Sequence, residues 1–366
     1  MNIFIVAGEP SGDEYGAKLI ENICTINPKV NFYGIGGPLM EREGLNSIVP
    51  LEKMSVMGFM EIIKKLPFFI RLEKKIITTI KKIKPDKIIL IDYPGLNLRL
   101  CKKIKATINT QIIYYISPQI WAWKEKRIET IKKYVDKMLV IFEFEKNWYY
   151  NKGVDVKFVG HPFLDVWKND YQQLIDKYNI DMSKPILTLF PGSRKQEVNN
   201  HLDLFIKSAL IIKNSIPELQ ILLGLHPSLT LNKSINKAII VVQDRPLNTL
   251  QVASAAIISS GTATLQSAIM GTPGLVVYKM NVFSWWLTKR LVKVKFASMV
   301  NIVADDWVFP ELLQNEANIE NVVAIMRKMF LDKKYQGTLH NKIKLIQNKL
   351  GGAGASKKAA EYILGF

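Results

Sequence analysis

Residues 246–278 read PLNTLQVASAAIISSGTATLQSAIMGTPGLVVY, without one Asp, Glu, Lys, Arg or His. About 20 consecutive apolar residues are enough to cross a bilayer. This run is cut short twice, by Ser259-Ser260-Gly261-Thr262 and by Gly271-Thr272-Pro273-Gly274. The pieces read as strand (255–258), turn, helix (262–270), turn and strand (275–278). Strands that are apolar throughout, without alternation, are those buried on both faces of a parallel sheet. The small, Gly-containing turn at 259–262 leaves a strand and opens a helix. Such a turn presents free backbone N–H groups to an anion. Thr262 and Thr264 add hydroxyls, and Gln266 follows one helical turn on.

Outward from this run the same alternation recurs, the pattern of an α/β fold with parallel sheets. In the first half, 3–7, 31–34, 87–92, 111–116 and 137–141 read as buried strands. The second half restarts at 185–190 and continues through 220–225 and 238–242. A polar stretch at 166–184 separates the halves. With 366 residues, each half is large enough to bury its own core. The expectation is two consecutive Rossmann-like domains over 1–168 and 169–345, facing across a cleft lined by strand C-termini. A C-terminal helical segment over 346–366 can pack back on the N-terminal domain.

Lys and Arg number 50 against 32 Asp and Glu, a net charge of +18. That excess implies nucleic acid, an anionic membrane surface or phosphorylated substrates as partners. The abundance of Lys, Ile and Asn, which a biased coding composition also produces, leaves part of the charge incidental. Two cysteines, Cys24 and Cys101, make no disulfide framework and fit a reducing compartment. Asn2 to Ala7 runs into Gly8-Glu9-Pro10 without a basic leader, so a cytoplasmic location is expected.

Several loops carry residues suited to chemistry. Strand 3–7 delivers Glu9, Ser11, Gly12 and Asp13; Ser11 or Asp13 suits a helix cap, and Glu9 has no structural reason to stand there. Asp92 ends KIILID, either as a partly desolvated general base or as an Asx-turn residue before Tyr93-Pro94-Gly95. Trp121 and Trp123 fit core lids or the lining of a groove for sugar or acyl chains. Gly192-Ser193-Arg194 repeats the strand–loop–helix layout with a guanidinium, whose planar donors suit phosphate. Together with the turn at 260–262 it makes a two-part phosphate site. The four His residues are scattered and no D-x-D is present, so neither metal nor cofactor is expected. Two segments suit a membrane interface, one with Val56, Met57, Phe59, Phe68 and Phe69 beside many Lys, the other with Trp285 and Trp286 beside Lys289 and Arg290. Each also reads as a core face with solvated lysines.

AGEPSGD, IDYPGLN, SPQIWAWKEKR, VGHP, PGSR, SGTATLQ and NIVADDWVFPELLQ occur in that order over nearly the whole chain. Together they resemble the lipid-A-disaccharide synthase family. The resemblance implies a GT-B glycosyltransferase that joins UDP-2,3-diacylglucosamine to 2,3-diacylglucosamine 1-phosphate, inverting and metal-free, at the cytoplasmic face of the inner membrane. It assigns Asp92 as base, Glu9 as the acid of the N-terminal loop, and Arg194 to the diphosphate. Gly261, Thr262 and Ala263 fall in its nucleotide loop, and Asn301, Glu311 and Gln314 in a late motif near the donor. Gln266 departs from the Glu usual in the family; its amide offers one acceptor to the ribose where a carboxylate offers two. Other UDP-N-acetylglucosamine enzymes of the same fold, a peptidoglycan transferase or an epimerase, are the nearest alternative. A GGxGGH-type first loop would mark the former, and GEPSGD stands here instead. A non-catalytic membrane or nucleic-acid binder is the alternative of another class; it leaves Asp92 and Arg194 unused. No nucleic-acid partner is expected, and homodimer formation stays open.

Overall fold

The computed structural model describes residues 1–54, 65–231, 234–281, 285–286, 288, 290 and 292–366. Two compact units divide the chain: Met1–Trp167 with Leu350–Phe366, and Lys168–Lys349.

The first unit holds a 7-stranded sheet, all of whose pairs are parallel. Its strands are β1 (Asn2–Ala7), β2 (Asn31–Ile35), β3 (Leu45–Ser47), β4 (Lys87–Ile91), β5 (Gln111–Tyr115), β6 (Lys137–Val140) and β7 (Lys157–Phe158), in the order β3-β2-β1-β4-β5-β6-β7. Phe4, Val6, Ile88, Leu90 and Tyr114 join one core with Leu72, Ile76 and Ile80 of the helix Leu66–Ile83. The intervening residues Ile3, Ile5, Ile89, Ile91 and Tyr115 are buried as well. Each such side chain contributes roughly 1.5–3 kcal/mol by leaving water. That two-sided burial is why these strands read as continuous apolar runs.

The last helix, Ala355–Leu364, belongs to this unit and packs on the helix Pro10–Ile26. Its N-terminus is held by Asp165, whose carboxylate accepts from the Gly354 and Ser356 amides at 2.5 and 2.6 Å. Lys137 Nζ donates to the Tyr362 carbonyl near its other end.

The second unit holds a 6-stranded parallel sheet of β8 (Ile186–Phe190), β9 (Gln220–Gly224), β10 (Ile239–Val242), β11 (Ala255–Ser259), β12 (Gly274–Tyr278) and β13 (Glu311–Leu313). The order is β10-β9-β8-β11-β12-β13. The uncharged run supplies β11, the helix Thr262–Ile269 and β12. It lacks charge because Ala255, Ile257, Leu275 and Val277 sit in the core under Phe205 and Ile212, while Ala256 and Ile258 are buried on the opposite face.

Two expectations are corrected here. Ser11, Gly12 and Asp13 do not form a loop, because the helix already starts at Pro10 with Glu9 as its N-cap residue. Asp13 caps a different helix: its carboxylate accepts from the amides of Gly37, Leu39 and Met40 at 2.8, 3.2 and 3.0 Å, and it is buried there. An acidic group at a helix N-terminus satisfies donors that have no partner within the helix. Phe69 lies in the core and Phe68 packs against it, because both fall on the inner stripe of the helix Leu66–Ile83. The outer stripe exposes Leu66 and Ile70, at 51% and 58%, with Arg71 and Lys74. Val56, Met57, Phe59 and Lys289 lie outside the described residues. Trp285 is half-buried, and Trp286 is exposed with the Arg290 guanidinium 3.9 Å above its ring. No helix among the described residues is long and apolar enough to cross a membrane.

Replacing Asp13 by Ala strands three amides, so urea denaturation of Asp13→Ala should give an unfolding free energy lower by about 2–4 kcal/mol. Asp13→Asn, which keeps one carbonyl for Gly37 and Met40, should lose clearly less.

Candidate active site

In the first sheet the chain runs outward from β1 through β2 to β3, then returns to β4 on the other side of β1. Neighbouring strands whose connections leave in opposite directions open a crevice at their C-terminal ends, where ligands of such sheets bind. Ala7 pairs with Ile91 at this point, so Gly8-Glu9 and Asp92-Tyr93 emerge side by side.

The backbone at Asp92 and Tyr93 is left-handed, with φ of 42° and 45°. Non-glycine residues there are strained and need support from their surroundings. Asn97 Nδ2 donates to the carbonyls of Ile91 (3.1 Å) and Asp92 (2.8 Å). Tyr114 Oη donates to the Asp92 carbonyl at 2.6 Å, and the Asp92 amide donates to Tyr115 O at 3.0 Å. Asn97 and Tyr114 thus hold the turn through its carbonyls. Gly8 is required beside it, since a Cβ there would come within 2.4 Å of the Tyr93 ring. Burial, then the Glu9 carboxylate and more weakly Glu145, push the Asp92 carboxyl up to about 7, against the Tyr93 amide, which lowers it. Glu9 itself is exposed.

Glu145 escaped the sequence reading. It is buried, accepts from Trp121 Nε1 (3.0 Å) and Ser117 Oγ (2.5 Å), and takes the Ile141 and Phe142 amides on its other oxygen. Burial pushes its carboxyl up to about 7 as well. One side chain thus ties the loop after β5 to the loop after β6. This separates the two tryptophans: Trp121 is a buried part of the scaffold, while Trp123 is exposed with Lys124 Nζ over its ring.

The second sheet has its own reversal between β8 and β11. Gly192-Ser193-Arg194 follows β8 and Ser260-Gly261-Thr262 follows β11, so both halves of the expected phosphate site stand at that reversal. They are not equivalent. At the helix Lys195–Ser215 the amides of Ser193 and Arg194 already donate to Glu197 Oε2, at 3.0 and 3.3 Å. Gly192, with φ of 123°, makes room, since a Cβ would lie 2.5 Å from that oxygen. A carboxylate thus takes the Ser193 and Arg194 amides, while Ser193 and the Arg194 side chain, the latter 71% exposed, face solvent. At the helix Thr262–Ile269 no side chain caps the N-terminus; Gly261 and Thr262 are exposed, and Ala263 and Gln266 half-buried. Of the two helix starts, this second one has no side-chain cap over its first turn.

The late motif also needs correction. Asn301 is fully buried; its Oδ1 accepts from the Val308 and Phe309 amides, and its Nδ2 donates to Phe309 O and Glu311 Oε1. Glu311 accepts in addition from Ala297 N, Ser298 N and Ser298 Oγ. Ala297 O in turn accepts from Ser260 Oγ at 2.8 Å. Asn301 and Glu311 thus have their polar groups committed, and they act on the β11 loop through Ser260. Gln314 differs: its backbone is left-handed, and its Nε2 is buried without a hydrogen-bond partner among the described residues. Its Oε1 faces the Met280 amide at 3.4 Å. Glu145 and Glu197 both stand three residues after an N-cap, but with Phe142 and Arg194 there the sequence lacks the Ser or Thr that opens a capping box. Among the described residues no three His, Cys, Asp or Glu side chains converge as a metal site would need.

Two Rossmann-like parallel sheets, one in each unit, make up the GT-B fold. Solved structures agree on the fold: the UDP-GlcNAc 2-epimerase from Neisseria meningitidis bound to UDP-GlcNAc aligns with a TM-score of 0.68 at 12% identity, covering 100% of both chains. The glycotransferase of kitacinnamycin aligns with a TM-score of 0.66 at 12% identity, over 99% of this chain and 98% of its own. Within that fold class the chain belongs to the lipid-A-disaccharide synthetase family, whose model matches residues 3–363. Lipid-A-disaccharide synthases of Trichlorobacter lovleyi and Coxiella burnetii are 37% and 33% identical to it, each over 99% of this chain and 96% and 97% of their own. The family is one of glycosyltransferases.

Exposure separates two kinds of residue in the second unit. Arg194→Ala should change stability by less than about 0.5 kcal/mol, the range of surface substitutions, while weakening UDP binding about tenfold or more. Glu311→Ala should cost about 3 kcal/mol, since it strands several buried donors. Chemical denaturation paired with UDP titration calorimetry reads both.

Proposed function

We propose that this chain condenses UDP-2,3-diacylglucosamine with 2,3-diacylglucosamine 1-phosphate, giving the β-1,6-linked disaccharide 1-phosphate and UDP. The observation that carries the reading is Asp92, a carboxylate at the reversal of the first sheet whose proton affinity is raised to about 7. A base titrating there is half-ionised near neutrality and strong enough to take a hydroxyl proton in the transition state. Asp92 would accept the proton of the acceptor 6-hydroxyl as that oxygen attacks the anomeric carbon. The bond from that carbon to the β-phosphate oxygen breaks, the configuration inverts, and UDP leaves. Arg194 and the uncapped first turn of the helix Thr262–Ile269 would stabilise the charge gathering on the diphosphate, the role a metal fills in other transferases. Gln266 would meet the ribose, with Gln314 Nε2 as a further donor toward the nucleotide.

The protein should release UDP only when both acylated sugars are supplied, and in excess EDTA; release from the donor alone, or loss on chelation, contradicts this scheme. Asp92→Asn should retain UDP affinity while turnover falls by at least about a hundredfold. Because the base works ionised, kcat/KM should fall with falling pH through about 7. Glu9→Gln removes a carboxylate that raises Asp92, so that acid limb should move to lower pH.

We also propose peripheral contact with the cytoplasmic face of the inner membrane, through exposed Leu66 and Ile70 beside Arg71 and Lys74, where apolar and cationic side chains share one stripe. The protein should sediment with anionic vesicles, and Leu66→Ser combined with Ile70→Ser should reduce the bound fraction without changing the thermal midpoint by more than a few degrees. An unchanged bound fraction removes this stripe as the contact.

A further inference from the structure

His201 is buried in the helix Lys195–Ser215, beneath the rim of the second sheet. Its Nδ1 lies 3.1 Å from the carbonyl oxygen of Pro191, in the loop after β8. Its Nε2 lies 2.9 Å from the amide nitrogen of Lys279, just after β12. These partners leave no choice of protonation. A backbone amide only donates, so Nε2 accepts; a carbonyl only accepts, so Nδ1 carries the proton and donates. The ring is neutral in one defined tautomer. It is held between the rings of Phe205 and Tyr278, at 5.8 and 5.6 Å between centroids.

The two segments it joins do not follow adjacent strands, since β11 lies between β8 and β12. Pro191 opens the loop that carries Arg194. Lys279 opens the segment whose next residue, Met280, meets Gln314, and whose own carbonyl accepts from Asn200 Nδ2 at 3.2 Å. Both flanks of the uncapped helix start at Gly261 are thus tied to one imidazole.

We infer that His201 is a positioning residue for the donor: a neutral Nδ1–H clamp that fixes the loop of Arg194 relative to the segment at Lys279, and so sets affinity for the nucleoside diphosphate. The inference rests on the donor assignment made above. Protonation would place a hydrogen on Nε2 against the Lys279 N–H and break the clamp. The groups around the ring pull in both directions. Burial opposes the cation first, the Pro191 carbonyl and Glu197 favour it, and the Lys279 ammonium opposes it; together they hold the ring below the usual histidine range. Donor binding should therefore be unaffected by this group at neutral pH and weaken only on acidification.

UDP titration of the full chain tests this. His201→Phe keeps a ring between Phe205 and Tyr278 but loses both hydrogen bonds. It should bind UDP about tenfold more weakly at pH 7.5, the equivalent of one good hydrogen bond, with KM for the donor raised more than kcat is lowered. His201→Gln offers an amide donor and a carbonyl acceptor and should recover most of that loss. On acidification below the usual histidine range the ratio of wild-type to His201→Gln affinity should fall; the titration of UDP itself is common to both and cancels. Equal affinity of wild type and His201→Phe at pH 7.5 overturns the clamp. If His201→Phe does not fold, 15N NMR of the wild-type imidazole decides: a protonated Nδ1 and bare Nε2 supports the clamp, and the opposite tautomer overturns it. A wild-type protein that does not bind UDP overturns the donor assignment instead, and the tautomer measurement still judges the clamp.

Discussion

Parallel pairing of β1 with β4 in the first sheet, and of β8 with β11 in the second, is the constraint from which the rest follows. Parallel strands deliver all their C-terminal ends to one edge, and a strand order that reverses leaves a gap between the loops there. Glu9 and Asp92 stand at one reversal; Arg194 and Gly261 stand at the other. Placing reactive groups at a sheet edge brings backbone strain. Asp92, Tyr93, Ile116 and Gln314 are left-handed non-glycine residues directly after strands β4, β5 and β13. For the β-branched Ile116 such a conformation is a genuine outlier, tolerable only where the surroundings impose it.

Carboxylates fix other loops and helix starts. Asp13, Glu145, Glu197, Glu311 and Asp165 each take two or more backbone amides from a loop or helix start. A buried carboxylate is costly unless its oxygens are satisfied, and amides at loop ends are costly unless they find acceptors. Each pairing removes both costs and fixes a loop. Asp92 differs from these five, since its carboxyl meets the single amide of Tyr93.

The strands were legible in the sequence because two-sided burial writes itself as unbroken apolar runs, 88–91 and 255–258 being the plainest. The rim was legible too, since each such run ends in a small-residue turn before a helical pattern. What each polar rim residue does was harder to read. Asp13 meets its amides at Gly37–Met40, Glu311 reaches back to Ala297 and Ser298, and His201 spans from Pro191 to Lys279. No local pattern reports such long-range partners. Phe69 misled for another reason: the stripe of the helix Leu66–Ile83 that faces the sheet is settled by packing, and one residue of phase exchanges Phe69 for Ile70. Glu145 and Glu197 cap locally, but Phe142 and Arg194 stand where a capping box has Ser or Thr, so the pattern was hidden as well.

The return of the helix Ala355–Leu364 to the first unit has a consequence for synthesis. Domains fold as units while the chain emerges, N-terminal first. Here the first unit lacks the helix that covers Pro10–Ile26, and the partners of Asp165, until the whole of Lys168–Lys349 has been made. The second unit has all its residues before the first does. The half that starts first is finished last, and a ribosome that stops short of residue 350 leaves an apolar face of the N-terminal half uncovered.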